Sequence, residues 1–398
     1  MLKKVKRIYL DNSATSFPKP PAVTEAMVRF ARECGASAGR GAYVETRACG
    51  ELLATCRGRI AALINAESPR TIVFTLNCSH GLNIVIHGLL NGAGRKVHAI
   101  TTAMDHNSVL RPLNALAAAG LVEPTFLPCD SRTGLLDVDD LRRAIRPDTR
   151  LIAVAHASNV TGTLEPAAEL AAVAHQAGVP CLIDAAQSVG HVPIDVRAWG
   201  ADFVAFPGHK GLLGPLGTGV LYVRPGAEAM LPTMHEGGTG TVSELATQPD
   251  SMPDKYEVGS HNAIGIAGLS EGVAWLLARG VQKLRAESLA HCRRFLGALA
   301  SVPGLTVYGP GPMELDKRTD VFSIRLDGYA PYELAGLLES RFNVLTRPGL
   351  HCAPLAHRTI GTYPEGTTRL SFGPFTTAEE VDLAAGALAE LARCRLPA

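Results

Sequence analysis

The sequence predicts an α/β protein, with a large domain built on a mostly parallel sheet and a smaller α+β domain beside it. Three observations predict this. From about residue 70 to 225, short β-branched or apolar runs alternate with helical patterns. Near-continuous apolar strands separated by helices belong to sheets covered on both faces. That alternation stops around residues 230–257, where Gly237-Gly238-Thr239-Gly240 and the stretch from Pro249 to Pro253 read as loop, and the last third then has an alternation of its own. The expected division is 20–255 for the large domain and 1–19 with 256–398 for the small one.

The elements follow in order. Residues 7–10 read as a strand that joins the small domain. Residues 71–74, 96–100, 151–155, 180–183, 203–206 and 219–223 read as strands of the large sheet, with 79–90 as the helix after the first. Residues 305–308 and 321–326 are strand-like, while Leu334, Leu337, Leu338 and Phe342 have helical spacing. Thr377-Ala378-Glu379-Glu380 is a capping box before Val381, Ala384, Ala385, Leu388 and Leu391.

Composition excludes several classes of function. Lys and Arg number 38 and Asp and Glu 37, so the formal charge is +1. A nucleic-acid or membrane-surface binder would need a basic face. Hydrophobic residues at 46% and charged residues at 19% fit a packed core rather than disorder. Met1 to Arg7 is basic, but only Ile8-Tyr9-Leu10 follows before Asp11, too short an apolar stretch for a secretory signal. No apolar run approaches the ~20 residues of a membrane span. Nine scattered cysteines, an odd number, argue for reduced thiols and a cytoplasmic location. Neither C-x-x-C nor H-E-x-x-H occurs, so no metal site is expected.

In sheets of this kind ligands bind outside the carboxyl ends of strands. Four polar segments follow strands: Asn77-Cys78-Ser79-His80, Met104-Asp105-His106, Asp184-Ala185-Ala186-Gln187 and Gly208-His209-Lys210. Lys210 is compatible with an ordinary surface lysine. A Walker-type phosphate loop is not met, because His209 precedes the lysine. The third reading is a lysine that forms a Schiff base with an aldehyde cofactor. Asp184 is compatible with a simple helix cap. It also suits pyridoxal phosphate, whose ring nitrogen needs a carboxylate to stay protonated. Asp184, Gln187 and Lys210, each just past a strand on one sheet edge, favour the cofactor. Ser79 opens a helix, where backbone N–H groups suit a phosphate as well as they suit a plain N-cap.

The whole chain resembles the class V, fold-type I pyridoxal-phosphate enzymes, in particular the cysteine desulfurase and selenocysteine lyase branch. The residues that carry the resemblance are Tyr9-Leu10-Asp11-Asn12-Ser13-Ala14-Thr15, Asp105-His106-Asn107-Ser108 and Ser158-Asn159-Val160-Thr161-Gly162-Thr163. Ile183-Asp184-Ala185-Ala186-Gln187-Ser188, Gly208-His209-Lys210, Arg347-Pro348-Gly349-Leu350-His351-Cys352-Ala353 and Thr368-Arg369-Leu370-Ser371-Phe372 complete it. The resemblance implies a large domain with a mostly parallel seven-stranded sheet and a homodimer. It implies that Lys210 carries the cofactor, Asp184 pairs with the pyridine nitrogen and Gln187 with the phenolate oxygen. His106 would stack on the ring and Asn159 would line cofactor and substrate. Ser79 and His209 would hold the phosphate, with Ser260 reaching in from a second subunit. Arg369 would grip the substrate carboxylate, and Cys352, beside His351, would be the activated thiol that accepts sulfur as a persulfide.

The implied activity is conversion of L-cysteine to L-alanine, with the sulfur handed on to an acceptor protein. L-Selenocysteine or cystine lysis, and an aminotransferase or epimerase reaction, are the alternatives on this fold; the latter two have no use for Cys352. A non-catalytic sulfur-assembly scaffold is the alternative outside enzymes, and intact Lys210, Asp184 and Arg369 argue against it. Three segments depart from the family's pattern: Pro207 stands where relatives carry a hydroxyl residue, Gly39-Arg40-Gly41 lacks the usual histidine, and Arg347-Pro348-Gly349-Leu350-His351 has one histidine before Cys352 where close relatives of the iron–sulfur assembly type more often show two.

Overall fold

A computed structural model describes residues 7–39, 41–92 and 94–395. The basic segment 1–6 and Arg40 of the glycine segment lie outside the described residues. The chain opens with β1 (Ile8–Tyr9), α1 (Pro21–Arg29) and α2 (Val44–Leu63). It then alternates through β2 (Ile72–Thr75), α3 (Cys78–Leu90), β3 (Val97–Thr102), α4 (Asn107–Ala118), β4 (Val122–Leu127), α5 (Val138–Ala144) and β5 (Thr149–Ala155). The series closes with α6 (Ala167–Gln176), β6 (Cys181–Asp184), α7 (Val196–Trp199), β7 (Phe203–Pro207) and β8 (Gly219–Val223). After a long connection come α8 (Ala263–Arg279), α9 (Val281–Leu299), β9 (Leu305–Tyr308), β10 (Val321–Leu326) and α10 (Pro331–Phe342). The last elements are β11 (Val344–Leu345), β12 (Arg347–Gly349), α11 (Pro354–Thr359), β13 (Thr367–Ser371) and α12 (Ala378–Arg395).

The large sheet has seven strands in the order β2-β8-β7-β6-β5-β3-β4. Only β8 runs against its neighbours β2 and β7; the pairs from β7 to β4 are parallel. Strands β3, β6, β7 and β8 are buried along their whole length, as expected of a sheet covered on both faces. The sequence reading overlooked β4. Its Val-Glu-Pro-Thr-Phe-Leu text contains a proline and an exposed glutamate, both tolerated because the strand lies at the sheet edge. The polar His98, second residue of β3, is fully buried, and its two ring nitrogens meet Thr149 Oγ1 and Thr125 Oγ1, each at 2.8 Å.

The second unit is an antiparallel sheet ordered β12-β13-β10-β9. The short parallel pair of β1 and β11 brings the N-terminus to it. Its core centres on Phe295, Phe322 and Phe372, whose ring centroids lie 4.9–5.3 Å apart. The capping box ahead of α12 closes reciprocally: Glu380 N donates to Thr377 Oγ1 and Thr377 N to Glu380 Oε2. Helix α8 packs its apolar face, including Ile266, Leu269 and Val273, into the core of the large sheet. The two cores divide along α9, where Leu284 belongs to the first and Cys292 to the second. That division lies later than the expected boundary at residue 256.

Among the described residues no single helix is long and apolar enough to cross a membrane. Helices α8 and α9 together pass by length and composition, but they bend by 79° and their apolar faces line the two cores.

Two expectations follow. Phe322→Ala should cost about 3–5 kcal/mol in chemical denaturation, because it opens a cavity at the centre of three rings. Glu165 is buried, accepts a hydrogen bond from Leu136 N at 3.1 Å, and burial raises its carboxyl to about 8. A folded-state value above the unfolded one means that this stabilisation is complete below the ordinary glutamate range and is lost as pH rises through 8. Glu165→Gln should flatten that slope when stability is measured from pH 5 to 9.

Candidate active site

The carboxyl ends of β6 and β7 are neighbours in the sheet, so the segments after them lie side by side. Asp184 ends β6 and Lys210 follows β7. Their loops touch backbone to backbone. A Cβ on Gly190, which has φ +86°, would stand 2.2 Å from the Gly211 carbonyl oxygen, so only glycine allows the approach. Together with the ends of β2, β3 and β5 they enclose a cleft of about 190 Å³. It is lined by Ser79, His106, Asn159, Asp184, Gln187, His209 and Lys210, seven of the ten expected site residues.

Asp184 is buried, and its Oδ1 accepts from Ala186 N at 2.9 Å and faces the Cys78 thiol at 3.5 Å. Burial pushes its carboxyl up, while the Ala186 N–H and Lys210 pull the other way. Burial likewise pushes the Lys210 ammonium down, against the pull of Asp184. His106 is the N-cap of α4. Its Nδ1 accepts from Ser108 N at 3.0 Å, and burial, with Lys210 and Arg369 nearby, holds the ring's pKa at about 4. The imidazole is therefore neutral near pH 7. Asp105 fixes the preceding turn by accepting from Thr102 N, Thr101 Oγ1, Thr102 Oγ1 and Ala155 N. Ser79 Oγ meets Ser108 Oγ at 2.7 Å at the start of α3. Gln187 Nε2 donates to Ser13 O at 3.0 Å, which ties the cleft to the N-terminal segment.

That segment also pins the lysine loop. The His209 carbonyl accepts from Ser16 N, Thr15 Oγ1, Ser16 Oγ and Lys19 Nζ at 3.1–3.2 Å. Sequence reasoning missed Ser108, Cys78 and Lys19 as parts of the site. Ser108 had a signal, since it stands within the Asp105–Ser108 motif two residues after His106. Cys78 had none, because a thiol before the helix serine reads as an ordinary small hydrophobe.

The other three expected residues lie outside the cleft. Arg369, on β13, is buried. It donates from Nη1 to Asn159 O at 3.1 Å and from Nη2 to Asp11 Oδ1 at 2.8 Å, and its Nε has no partner. Cys352 sits on the loop after β12 and is exposed, unlike every other cysteine except Cys394. His351 and Cys352 both have left-handed backbones, φ 48° and 58°. This loop is held from the large domain: Asn159 Nδ2 donates to His351 O at 2.6 Å and Asn107 N to Cys352 O at 2.8 Å. The His351 ring turns into the core, meets Thr367 Oγ1 at 3.1 Å, and burial keeps it neutral. The buried ring therefore does not present an imidazolium to Cys352. Ser260 lies in a separate cavity of about 140 Å³ with Glu257, His261 and Thr218.

The donor set fits pyridoxal phosphate. The cleft offers the N-terminus of a thirteen-residue helix with two hydroxyls, a buried carboxylate at the end of a strand, and His209 Nδ1, buried without a partner. Fold and cleft together define a fold-type I pyridoxal-phosphate enzyme. Residues 8–383 match the Aminotransferase class-V family, and the chain belongs to that family, whose members depend on this cofactor. It is 34% identical over 388 residues to a probable cysteine desulfurase of Methanothermobacter thermautotrophicus, covering 97% of this chain and 94% of that one. The apo structure of a cysteine desulfurase from Thermococcus onnurineus superposes with a TM-score of 0.91 at 32% identity, covering 98% and 95% of the two chains. The cysteine desulfurase CsdA of Escherichia coli gives 0.87 at 29% identity, covering 98% and 96%.

Borohydride treatment of the yellow protein should fix the cofactor to the peptide that contains Lys210, as read by mass spectrometry; an adduct on another lysine would refute the assignment. Asp184→Asn should keep part of the absorbance band but lower turnover about a hundredfold or more, since a preorganised charge partner is lost.

Proposed function

We propose that this protein is a pyridoxal-phosphate-dependent cysteine desulfurase that takes sulfur from L-cysteine onto Cys352 and releases L-alanine. The observation that carries the reading is the exposed Cys352, on the loop after β12 whose carbonyls accept hydrogen bonds from Asn159 and Asn107. Relatives named cysteine desulfurase along nearly the full chain support it.

Lys210 would carry the cofactor, Asp184 would sit at its ring nitrogen, Gln187 at its phenolate oxygen and the neutral His106 ring on its face. Ser79, His209 and the N-terminus of α3 would hold the phosphate. When bound, pyridoxal phosphate supplies an electron sink for the pair left at the substrate's Cα. Arg369 grips the α-carboxylate. Lys210, whose ammonium is disfavoured by burial, takes the Cα proton. The Cys352 thiolate then attacks the substrate sulfur: an S–S bond forms, the Cβ–S bond breaks, and its electron pair stays on carbon and is protonated. Alanine leaves, Cys352 holds the persulfide, and an acceptor thiol on a partner protein takes the sulfur.

A homodimer completes this reading. Ser260 lies in a cavity apart from its own chain's cleft, beside the exposed apolar Leu76 and Val258, which supports its serving a second copy. The unpaired cysteines support a reducing compartment, the cytoplasm.

Cys352→Ala should still bind cofactor and L-cysteine yet form little alanine from cysteine, while L-selenocysteine turnover survives much better. Wild-type protein given L-cysteine should gain about 32 Da, one sulfur, on the Cys352 peptide. Alanine formation at the wild-type rate by Cys352→Ala would refute the persulfide route.

A further inference from the structure

Asp11 belongs to the N-terminal motif and carries no role in the reaction as derived above. Its carboxylate lies between two arginines. Oδ1 accepts from Arg369 Nη2 at 2.8 Å and Oδ2 from Arg347 Nε at 3.1 Å. These arginines are directly opposite each other on the antiparallel strands β12 and β13. Like charges so placed repel, and Asp11 is what holds them together. The backbone fixes it there, since Asp11 bridges to Ser371 and Tyr9 Oη donates to the Asp11 carbonyl.

The trio has two positive charges and one negative, and Arg369 has a buried Nε–H with no acceptor. One further carboxylate would neutralise it. The two arginines lead to different places. Arg369 reaches Asn159, which lines the cleft. Arg347, half exposed, begins the strand that runs into Gly349, His351 and Cys352. A carboxylate arriving at Arg369 competes with Asp11, whose remaining partner is Arg347.

We propose that Asp11 is a positioning residue that couples capture of the substrate carboxylate at Arg369 to the setting of the Cys352 loop through Arg347. This rests on the assignment of Arg369 and Cys352 given above. The occupied arginine releases Asp11 towards Arg347, and the root of the Cys352 strand takes up that charge. The thiol is thereby set for attack when an amino acid is in place. Coupling of this kind is reciprocal, so whatever loosens Arg347 also changes carboxylate affinity.

The test uses the holoenzyme and propionate, a carboxylate without an amine to react with the cofactor. Its binding is read from the cofactor absorbance, and iodoacetamide alkylation is read by mass on the Cys352 peptide. In wild type, saturating propionate should change the alkylation rate about fivefold or more. Asp11→Asn and Arg347→Gln should still bind propionate, and Asp11→Asn more tightly, yet lose the change; Asp11→Glu should restore it. With L-cysteine, Asp11→Asn should lower KM and kcat together, whereas a merely structural loss raises KM. If Asp11→Asn fails to fold, Arg347→Gln, altered at a half-exposed side chain, carries the test. An alkylation change that survives in Arg347→Gln, or no change in wild type that binds propionate, overturns the coupling alone. Unchanged propionate binding in Arg369→Lys overturns the substrate assignment and the coupling with it.

Discussion

A carboxylate taken out of water at the end of a β-strand is the constraint on which the rest of the molecule depends. Asp184 is ionised only if something positive or donating faces it. The Ala186 N–H supplies part of that need, and Lys210, across the neighbouring strand end, supplies an electrostatic part. Two fully buried parallel strands are required to hold those two loops in contact, and Gly190 and Gly211 are required to let their backbones meet. The seven-stranded sheet and its two apolar faces can be understood as the frame that keeps this arrangement dry.

The small sheet answers a different need. Desulfuration asks for a nucleophile that reaches a sulfur held over the cleft, and none of the groups lining the cleft serves. Cys78 lies there, but burial and the nearby Asp184 hold its thiol in the protonated form. The thiol that the proposed reaction uses, Cys352, is instead carried on the loop after β12, whose carbonyls rest on Asn159 and on the first turn of α4. Asn159 is the junction: one side chain lines the cleft and holds the Cys352 loop, while its carbonyl receives Arg369.

The parallel sheet was legible because its strands are long apolar runs, and Asp184, Gln187 and Lys210 were legible because each follows such a run. Edge strand β4 was not, since an edge tolerates Pro124 and Glu123 and so loses the apolar signature. The membership of α8 in the large core was not legible either. Its sequence is apolar enough for either core, and only the packing of Ile266 and Leu269 decides. The inward turn of His351 escaped for a related reason: its neighbour in sequence is exposed, but a left-handed backbone at both residues sends their side chains to different environments. Asp11 could be recognised as part of a motif, but its two arginines stand more than three hundred residues away and only the sheet register brings them together.

That separation has a consequence for folding. Ser13 N donates to Ser371 Oγ, Asp11 binds Arg369, and Thr15, Ser16 and Lys19 hold the His209 carbonyl, just before Lys210. The polar groups of residues 11–19 thus find all their partners only when residues 369–371 are in place. Contacts of such sequence separation form late, after the loop entropy between them has been overcome. The strands of the large sheet all fall within residues 72–223 and can pair without these contacts, so the sheet can form first while the cleft gains its N-terminal wall only when the two distant ends of the motif meet.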